Sequence, residues 1–273
     1  MSLGIAFKAP EGIVLAADSR VTLTMQVATP GQPTMLVPAT YDNATKLLRV
    51  QGQTHVGAVT YGVGAVGDKE PRTAKSFIPE FEKSLGKVSR LSVEDFAKKL
   101  SAFFAAKWNQ LMPGQKTPGQ DMVFLVGGYD EGAPYGRVFE FFIPNSPIPA
   151  EKHGGPGQFG MVWGGQKEIT DRLVQGFDGR AIPIAQQLLG LTDQKTEELR
   201  EALRQNLNLP VPYAFLPLQD CVHLVIVLVR TTIALQQWQI GVRGVGGAID
   251  VAVITPTEGF VEIQGKTLMG EVL

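Results

Sequence analysis

The stretch Gly12-Ile13-Val14-Leu15-Ala16-Ala17-Asp18-Ser19-Arg20-Val21-Thr22 constrains this chain more than any other. An apolar run of strand length stops at a carboxylate, a hydroxyl and a guanidinium, with no Gly or Pro to mark a loop. A buried strand of this kind can set charge beside a reacting group. The same pattern fits an ordinary strand with a solvated end, or an ion network that ties strand ends together. Upstream, Leu3 to Lys8 is a second apolar segment, joined through Ala9-Pro10-Glu11-Gly12. Pro-Glu-Gly suits a three-residue hairpin loop, Pro presetting the first turn position and Gly taking the left-handed third. Such a loop sets Ala9 opposite Ile13 and gathers Leu3, Ile5 and Phe7 on one face with Ile13, Leu15 and Ala17. The other face carries Ser2, Gly4 and Ala6 with Ala16, Asp18 and Arg20, and places Ser2 opposite Arg20. A slip of one residue would bring Lys8 beside Ile13 and invert each strand.

A hairpin of this apolarity needs a core to cover it, and 273 residues that are 44 % hydrophobic supply one. The length allows one large domain or two small ones; no boundary or internal repeat stands out, so a single domain over 1–273 is expected. A formal net charge of -1 gives no electrostatic reason to expect nucleic acid or an anionic membrane as partner. Cys221 stands alone and, with three His, offers no zinc spacing, so neither metal nor organic cofactor is expected. The N-terminus lacks a secretory pattern, and the run around Val225 to Val229 is short of a membrane span of roughly 20 residues. The expectation is a soluble, cytoplasmic protein.

Farther along, residues 25–42 are rich in Pro and Thr and read as a long loop. Lys46 to Val50 and His55 to Tyr61 read as strands, the second ending in Gly62-Val63-Gly64-Ala65-Val66-Gly67. Those glycines lack the Lys-Ser/Thr of a phosphate loop and any dinucleotide spacing, so they point to close backbone approach instead. Thr73 to Leu85 and Val93 to Leu111 read as helices, the latter capped by Ser92. Met122 to Tyr129 and Gly136 to Ile143 form a strand pair, Met161 to Gly165 a short strand, and Glu168 to Phe177 and Thr192 to Asn206 helices. Val222 to Ile233 is ambiguous: β-branched residues favour a strand, while length and position allow a helix. Ala248 to Thr255 and Phe260 to Ile263 close the chain as strands, which gives an α+β fold.

Taken in order, several of these segments resemble the proteasome β-subunit family of N-terminal nucleophile hydrolases, as a divergent bacterial or archaeal member. The matching residues are Gly4-Ile5, Gly12 to Thr22, Lys46-Leu47, Gly62, Leu125-Val-Gly-Gly-Tyr-Asp130 and Gly246-Gly-Ala-Ile-Asp-Val-Ala-Val-Ile-Thr255. The resemblance implies a four-layer αββα sandwich, with enlarged segments at 25–42 and 166–221, and it makes Val222 to Trp238 a helix. It implies a peptidase in which Ser2, once Met1 is removed, is the nucleophile and its α-amine the general base. Asp18 and Lys46 match the supporting carboxylate and ammonium, and Gly62 the backbone donor of the oxyanion hole. On the substrate-binding side, Arg20 matches the family's strand-end basic residue, Thr22 and Gly64 match positions whose backbone pairs with an extended peptide, and Val21, Leu48 and Thr60 match the walls of the first specificity pocket. Implied partners are peptide or unfolded protein as substrate, copies of the chain in a homo-oligomeric ring, and an unfoldase.

The chemistry accounts for the pattern. A hydroxyl is a poor nucleophile until a base takes its proton, and an α-amine with a pKa near 8 can serve. A neighbouring ammonium lowers that pKa, and a carboxylate holds the ammonium in place. The chain departs from the pattern in having Ser2 for Thr. It also has Val242, Val245 and Gly165 where the family carries supporting Asp and Ser residues, so Gln166 or another group would have to compensate. Two alternatives stay open: an inactive subunit with a structural or binding role in a ring, and a hydrolase of small-molecule amides.

Overall fold

The hairpin forms one residue out of the expected register. In the computed structural model, which describes residues 2–27, 35–67, 70–114, 121–155, 157–267 and 270, β1 (Leu3–Lys8) pairs with β2 (Ile13–Asp18) so that Ile5 faces Ala16 and Lys8 faces Ile13. The turn is the cause. Ala9 N–H donates to Gly12 C=O at 2.9 Å, so Pro10 and Glu11 alone form the loop. Gly12 takes no left-handed conformation; it is small because a Cβ there would lie 2.9 Å from Leu218 Cδ1. Inversion carries no penalty, because both strands are buried on both faces and the slip exchanges one core for another. Lys8, drawn inside, donates Nζ to His153 C=O at 2.6 Å.

The Pro-rich stretch expected as a loop is in part a strand. β3 (Val21–Val27) continues from the site and pairs antiparallel with β4 (Met35–Tyr41), Val21 facing Tyr41 and Thr22 facing Thr40. Pro38 is tolerated because β4 is an edge strand, where a missing N–H costs no ladder bond. The part of the expected loop at 28–34 lies outside the described residues. Of the strand expected from Lys46 to Val50, only β5 (Leu47–Leu48) pairs, with β6 (Val56–Gly62).

A single 3-10 turn, Ala74–Phe77, leads into α1 (Ile78–Leu85). α2 (Val93–Leu111) starts where expected, Ser92 Oγ accepting from Asp95 N–H at 3.0 Å. Next come β7 (Met122–Gly128), β8 (Arg137–Ile143), β9 (Ser146–Lys152) and β10 (Gly160–Gly165). β9 escaped the sequence reading because Pro147 and Pro149 argue against a strand, yet it too is an edge. The region 166–221 holds α3 (Glu168–Val174), α4 (Ala181–Leu189) and the solvated α5 (Asp193–Leu207). α6 (Leu218–Gln236) precedes β11 (Ile249–Thr255) and β12 (Gly259–Gln264).

Beside the β3–β4 pair, two five-stranded antiparallel sheets result, β10-β1-β2-β11-β12 and β5-β6-β7-β8-β9. One apolar cluster, with Ala6, Leu15, Val59 and Leu125, lies between the sheets. A second, rich in Phe, joins α1 and α2 to the β5–β9 sheet, and a third joins α6 to the other sheet. α6 is the segment whose β-branched residues favoured a strand. Its buried positions Cys221, Val222, Val225, Leu228, Val229, Thr232 and Gln236 recur at helical spacing, so burial overrides propensity. At 19 residues with mean hydropathy 1.6, α6 is long and apolar enough to cross a membrane, which its central run alone did not reveal. Here its inner face packs on β1, β2 and β11.

Candidate active site

The end of β2 is where the chain's buried charges converge. Asp18 is fully buried and accepts four hydrogen bonds: Leu3 N–H at 3.0 Å and Lys46 Nζ at 2.6 Å on Oδ1, Arg20 N–H and Gly246 N–H at 3.0 Å on Oδ2. One carboxylate thus fastens together the start of β1, the entry to β5, the entry to β3 and the approach to β11. Lys46 is itself buried. Burial pushes its ammonium below the ordinary lysine range, and the Asp18 carboxylate offsets part of that.

Ser2 sits immediately before the residue that Asp18 holds, and its carbonyl accepts Gln166 N–H at 2.8 Å. Its Oγ lies 3.5 Å from Arg20 C=O, a loose contact, and the one-residue shift of the hairpin removes the expected pairing of Ser2 with Arg20. Ser2, Val21, Lys46, Thr60, Tyr61 and Gly64 all line one cavity of about 10 Å³, room for a single water. Leu48 does not reach it. It is fully buried in the Phe-rich cluster that also holds Ala58, Ala74 and Phe77.

Gly62 and Gly64 earn their lack of a side chain differently. Gly62 has φ near +87°, and a Cβ would fall 2.1 Å from Asp121 C=O. Val63 N–H bonds that carbonyl at 2.9 Å, so alternation along β6 turns the Gly62 N–H away from β7, to the side on which Thr60 N–H meets Lys46 C=O at 3.1 Å. Gly64 lets the Val21 methyls approach, a Cβ there lying 3.1 Å from one of them. Thr22 is paired with Thr40 on one edge of β3; the other edge is unpaired among the described residues. Thr22 Oγ1 is buried without a hydrogen-bond partner.

Arg20 is committed. Its guanidinium grips Asp42 at 2.5 and 2.7 Å, which raises the Arg20 pKa and lowers that of Asp42. Gly246 is small to let it pass, since a Cβ would meet Arg20 Cζ at 2.4 Å.

The positions where supporting polar groups were missing have a structural answer. Gly165 cannot carry a serine side chain, because its φ is near +93° and a Cβ would fall 1.8 Å from Ser2 C=O. Val242 is exposed and Val245 is core. In their place Gln236, at the end of α6, accepts Val245 N–H at 2.9 Å and pairs through its amide with Gln166. Gln236 thereby holds the segment whose next N–H, that of Gly246, serves Asp18. Gln166 was one of the groups expected to compensate; Gln236 was not named. Its signal was a Gln in the last turn of a helix that, apart from Thr232, is apolar on that face.

Tyr61 was also missed. Its ring lies against Gly4 and Gly164, where a Cβ would sit 2.7 and 2.2 Å away, and its hydroxyl donates to Glu140 at 2.8 Å. Glu140 in turn pairs with Lys152 at 2.8 Å. Burial, and then the Glu140 charge, push the Tyr61 pKa well above the usual range. Among the described residues, no three His, Cys, Asp or Glu side chains converge as a metal site would need.

No family model matches the sequence, and no curated protein does. Solved structures do match. The Anbu complex of Pseudomonas aeruginosa, solved as a helical assembly, aligns with TM-score 0.55 and 16 % identity over 96 % of this chain and 84 % of that one. Anbu (ancestral beta-subunit) from Yersinia bercovieri aligns with TM-score 0.54 and 15 % identity over 96 % and 87 %. A Gly-1 mutant of Anbu from Hyphomicrobium sp. strain MC1 gives 0.54 and 15 % over 96 % and 86 %. The likeness is one of fold. It corrects the kinship read from the motifs: the structural neighbours are proteasome-like Anbu proteins, not the proteasome β subunits proper.

Proposed function

We propose that this chain is an N-terminal nucleophile hydrolase of Anbu-like fold, cleaving peptide bonds within a particle built from its own copies. The observation that carries the reading is the Asp18 carboxylate, which holds the Lys46 ammonium and the Ser2–Leu3 peptide at once. The stacking of helix, sheet, sheet and helix is read as the four-layer αββα sandwich that such chemistry uses.

The reaction needs Ser2 to carry a free α-amine; Met1 lies outside the described residues. The amine takes the Ser2 Oγ proton as Oγ bonds to the substrate carbonyl carbon. The Gly62 N–H receives the oxyanion. The C–N bond then breaks and the α-ammonium protonates the leaving amine, after which water, activated by the same amine, hydrolyses the ester. Lys46 keeps the amine's pKa low by its charge, and Asp18 keeps Lys46 in place. Val21 and Thr60 flank the acyl group, while Thr22 and Gly64 offer backbone to an extended peptide. A cytoplasmic setting, assembly into a ring or helix, and delivery of unfolded chains by an unfoldase belong to the same proposal.

A second reading has its own support. The cavity beside Ser2 admits only a water, as expected of an inactive structural subunit or of a hydrolase for small acyl groups. Intact mass before and after a β-lactone probe separates the readings. Loss of Met1 with one adduct, abolished in Ser2→Ala, supports the peptidase mechanism. Retained Met1, or a free Ser2 that stays unlabelled, refutes it in favour of the inactive subunit.

A further inference from the structure

The cavity that Ser2 lines is narrow because three parts of the chain close it, each held by contacts of its own. Val21, buried at the start of β3, lays both methyls against the Gly64 backbone: a Cβ on Gly64 would lie 3.1 and 3.2 Å from them. Thr60, on β6, is buried and donates its hydroxyl to Val123 C=O at 2.9 Å, so its one donor is already used. The third wall was not anticipated from the sequence. Val66 and Arg72 form an isolated antiparallel bridge, N–H to C=O at 2.8 and 2.9 Å, which folds the chain back and brings Thr73 and Ala74 to line the same cavity. That wall is braced. The Arg72 guanidinium lies 4.0 Å from the centre of the Phe77 ring, donates to Ser76 C=O at 2.8 Å and pairs with Glu80 at 2.7 Å. Ala74 is 2 % exposed, and Phe77 is fully buried with its ring edge-on to Phe104. What remains is about 10 Å³, room for one water or a group of about that size, such as a methyl. Among the described residues that line it, Lys46 is the one charged side chain, and Asp18 already neutralises it, so the cavity does not select for a charged group.

We propose that the site takes acyl residues no larger than alanine, cutting peptide bonds that follow Gly or Ala, and that Val21, Thr73 and Ala74 set this limit. The proposal rests on the reading of Ser2 as the nucleophile. When Ser2 Oγ bonds to the carbonyl carbon, the side chain on the adjoining α-carbon has to be accommodated beside Oγ, where this cavity lies. A hydrogen or a methyl enters as a water would. An isobutyl or benzyl group meets the cavity walls first and holds the carbonyl away from Oγ. A misplacement of about 1 Å is enough to lose on the order of 10²-fold in rate. The small cavity then acts as a filter on the substrate. Widening it would require Val21 to leave Gly64 or the Val66–Arg72 bridge to open, and both are held by contacts within the chain.

The test uses the full chain on a mixed peptide library, with cut sites read by mass spectrometry, and two β-lactones that carry a methyl or an isobutyl group next to the carbonyl. The expected cuts follow Gly and Ala, and the methyl lactone is expected to label Ser2 about 10²-fold faster than the isobutyl one. In Val21→Ala, and separately in Thr73→Ala, the isobutyl-to-methyl labelling ratio is expected to rise by about tenfold or more. A ratio taken on one sample does not move when a variant merely folds less well. If Val21→Ala does not fold, the wild-type cut sites and Thr73→Ala decide. Cuts after Leu, Phe or Lys as frequent as those after Ala, or equal labelling of the wild type by the two lactones, overturn the proposal and leave the Ser2 nucleophile standing. A wild type that cuts no peptide and is labelled by neither lactone refutes the peptidase reading, and the size limit falls with it.

Discussion

Asp18→Asn tests the centre of the site most directly, because the substitution keeps shape and removes one charge. Lys46 is 5 % exposed at its side chain and Asp18 not at all, so the ammonium would be left buried with no counter-ion. Breaking a buried pair from one side costs about 3–5 kcal/mol. The amide adds to this: each Asp18 oxygen accepts two bonds, so whichever becomes NH₂ points a donor at two donors. For a chain of this size the melting temperature is expected to fall by roughly 5–10 °C. The pH dependence has a definite sign. Without Asp18 the folded Lys46 prefers to be neutral while the unfolded lysine titrates near pH ~10.4, so between the two pKa values the unfolded state binds more protons and stability rises with pH. The deficit relative to wild type, measured by urea unfolding, is therefore expected to shrink as the pH rises toward the unfolded lysine's pKa of about 10.4. Lys46→Met on the Asp18→Asn background is expected to recover most of the loss. A deficit under about 1 kcal/mol, or a double variant no more stable than the single, would refute the idea that this pair fastens the strand ends.

Three further outcomes are expected. Gly165→Ala puts a methyl into the Ser2 carbonyl at a positive φ, and is expected to cost about 2–3 kcal/mol and to prevent probe labelling at Ser2, checked by thermal melt and intact mass. Gln236→Leu leaves the Val245 N–H buried without its acceptor, so a loss of about 1–3 kcal/mol is expected by urea titration. Asp42→Asn removes the partner of Arg20 at a site where Asp42 is 46 % exposed, so screening holds the loss to about 0.5–1 kcal/mol. The Asp42 pKa is lowered in the folded state, so its contribution is present above about pH 4 and lost below it; the gap between wild type and variant should close in acid unfolding.

What could be read from the residues was local chemistry, and what could not was the position of partners. The strand that ends in Asp18, the helix capped at Ser92 and the glycines of close approach all carried signals within a few residues of themselves. The register of the first hairpin did not. Its decisive clue, burial on both faces, depends on a second sheet and on α6, so alternation within the two strands had nothing to choose between. α6 failed on propensity for the same reason, since its periodicity shows only once its inner face is known. β4 and β9 hid behind prolines that edge strands tolerate. Asp18 and Lys46 could be brought together from a resemblance; Gln236 reaches the Val245 N–H from the end of α6, far along the chain from both, and leaves no motif behind.

The charges around Ser2 also explain why so little can happen there by chance. Arg20 with Asp42, Lys46 with Asp18 and Lys266 with Asp250 form three cation–carboxylate pairs around the β2–β3 turn, and they sum to zero. A neutral set has no net field to draw in a charged ligand, in keeping with a chain whose formal charge is -1. Within the set the pairs are unequal. Arg20 is always protonated, and its bidentate grip lowers the Asp42 pKa, so that pair is fixed at ordinary pH. Lys46 is the cation whose burial already presses it toward neutrality, and it is the one that lines the cavity with Ser2. On the proposed mechanism the Ser2 α-amine moves the proton, and Lys46, held by Asp18, keeps that amine's pKa low by its charge.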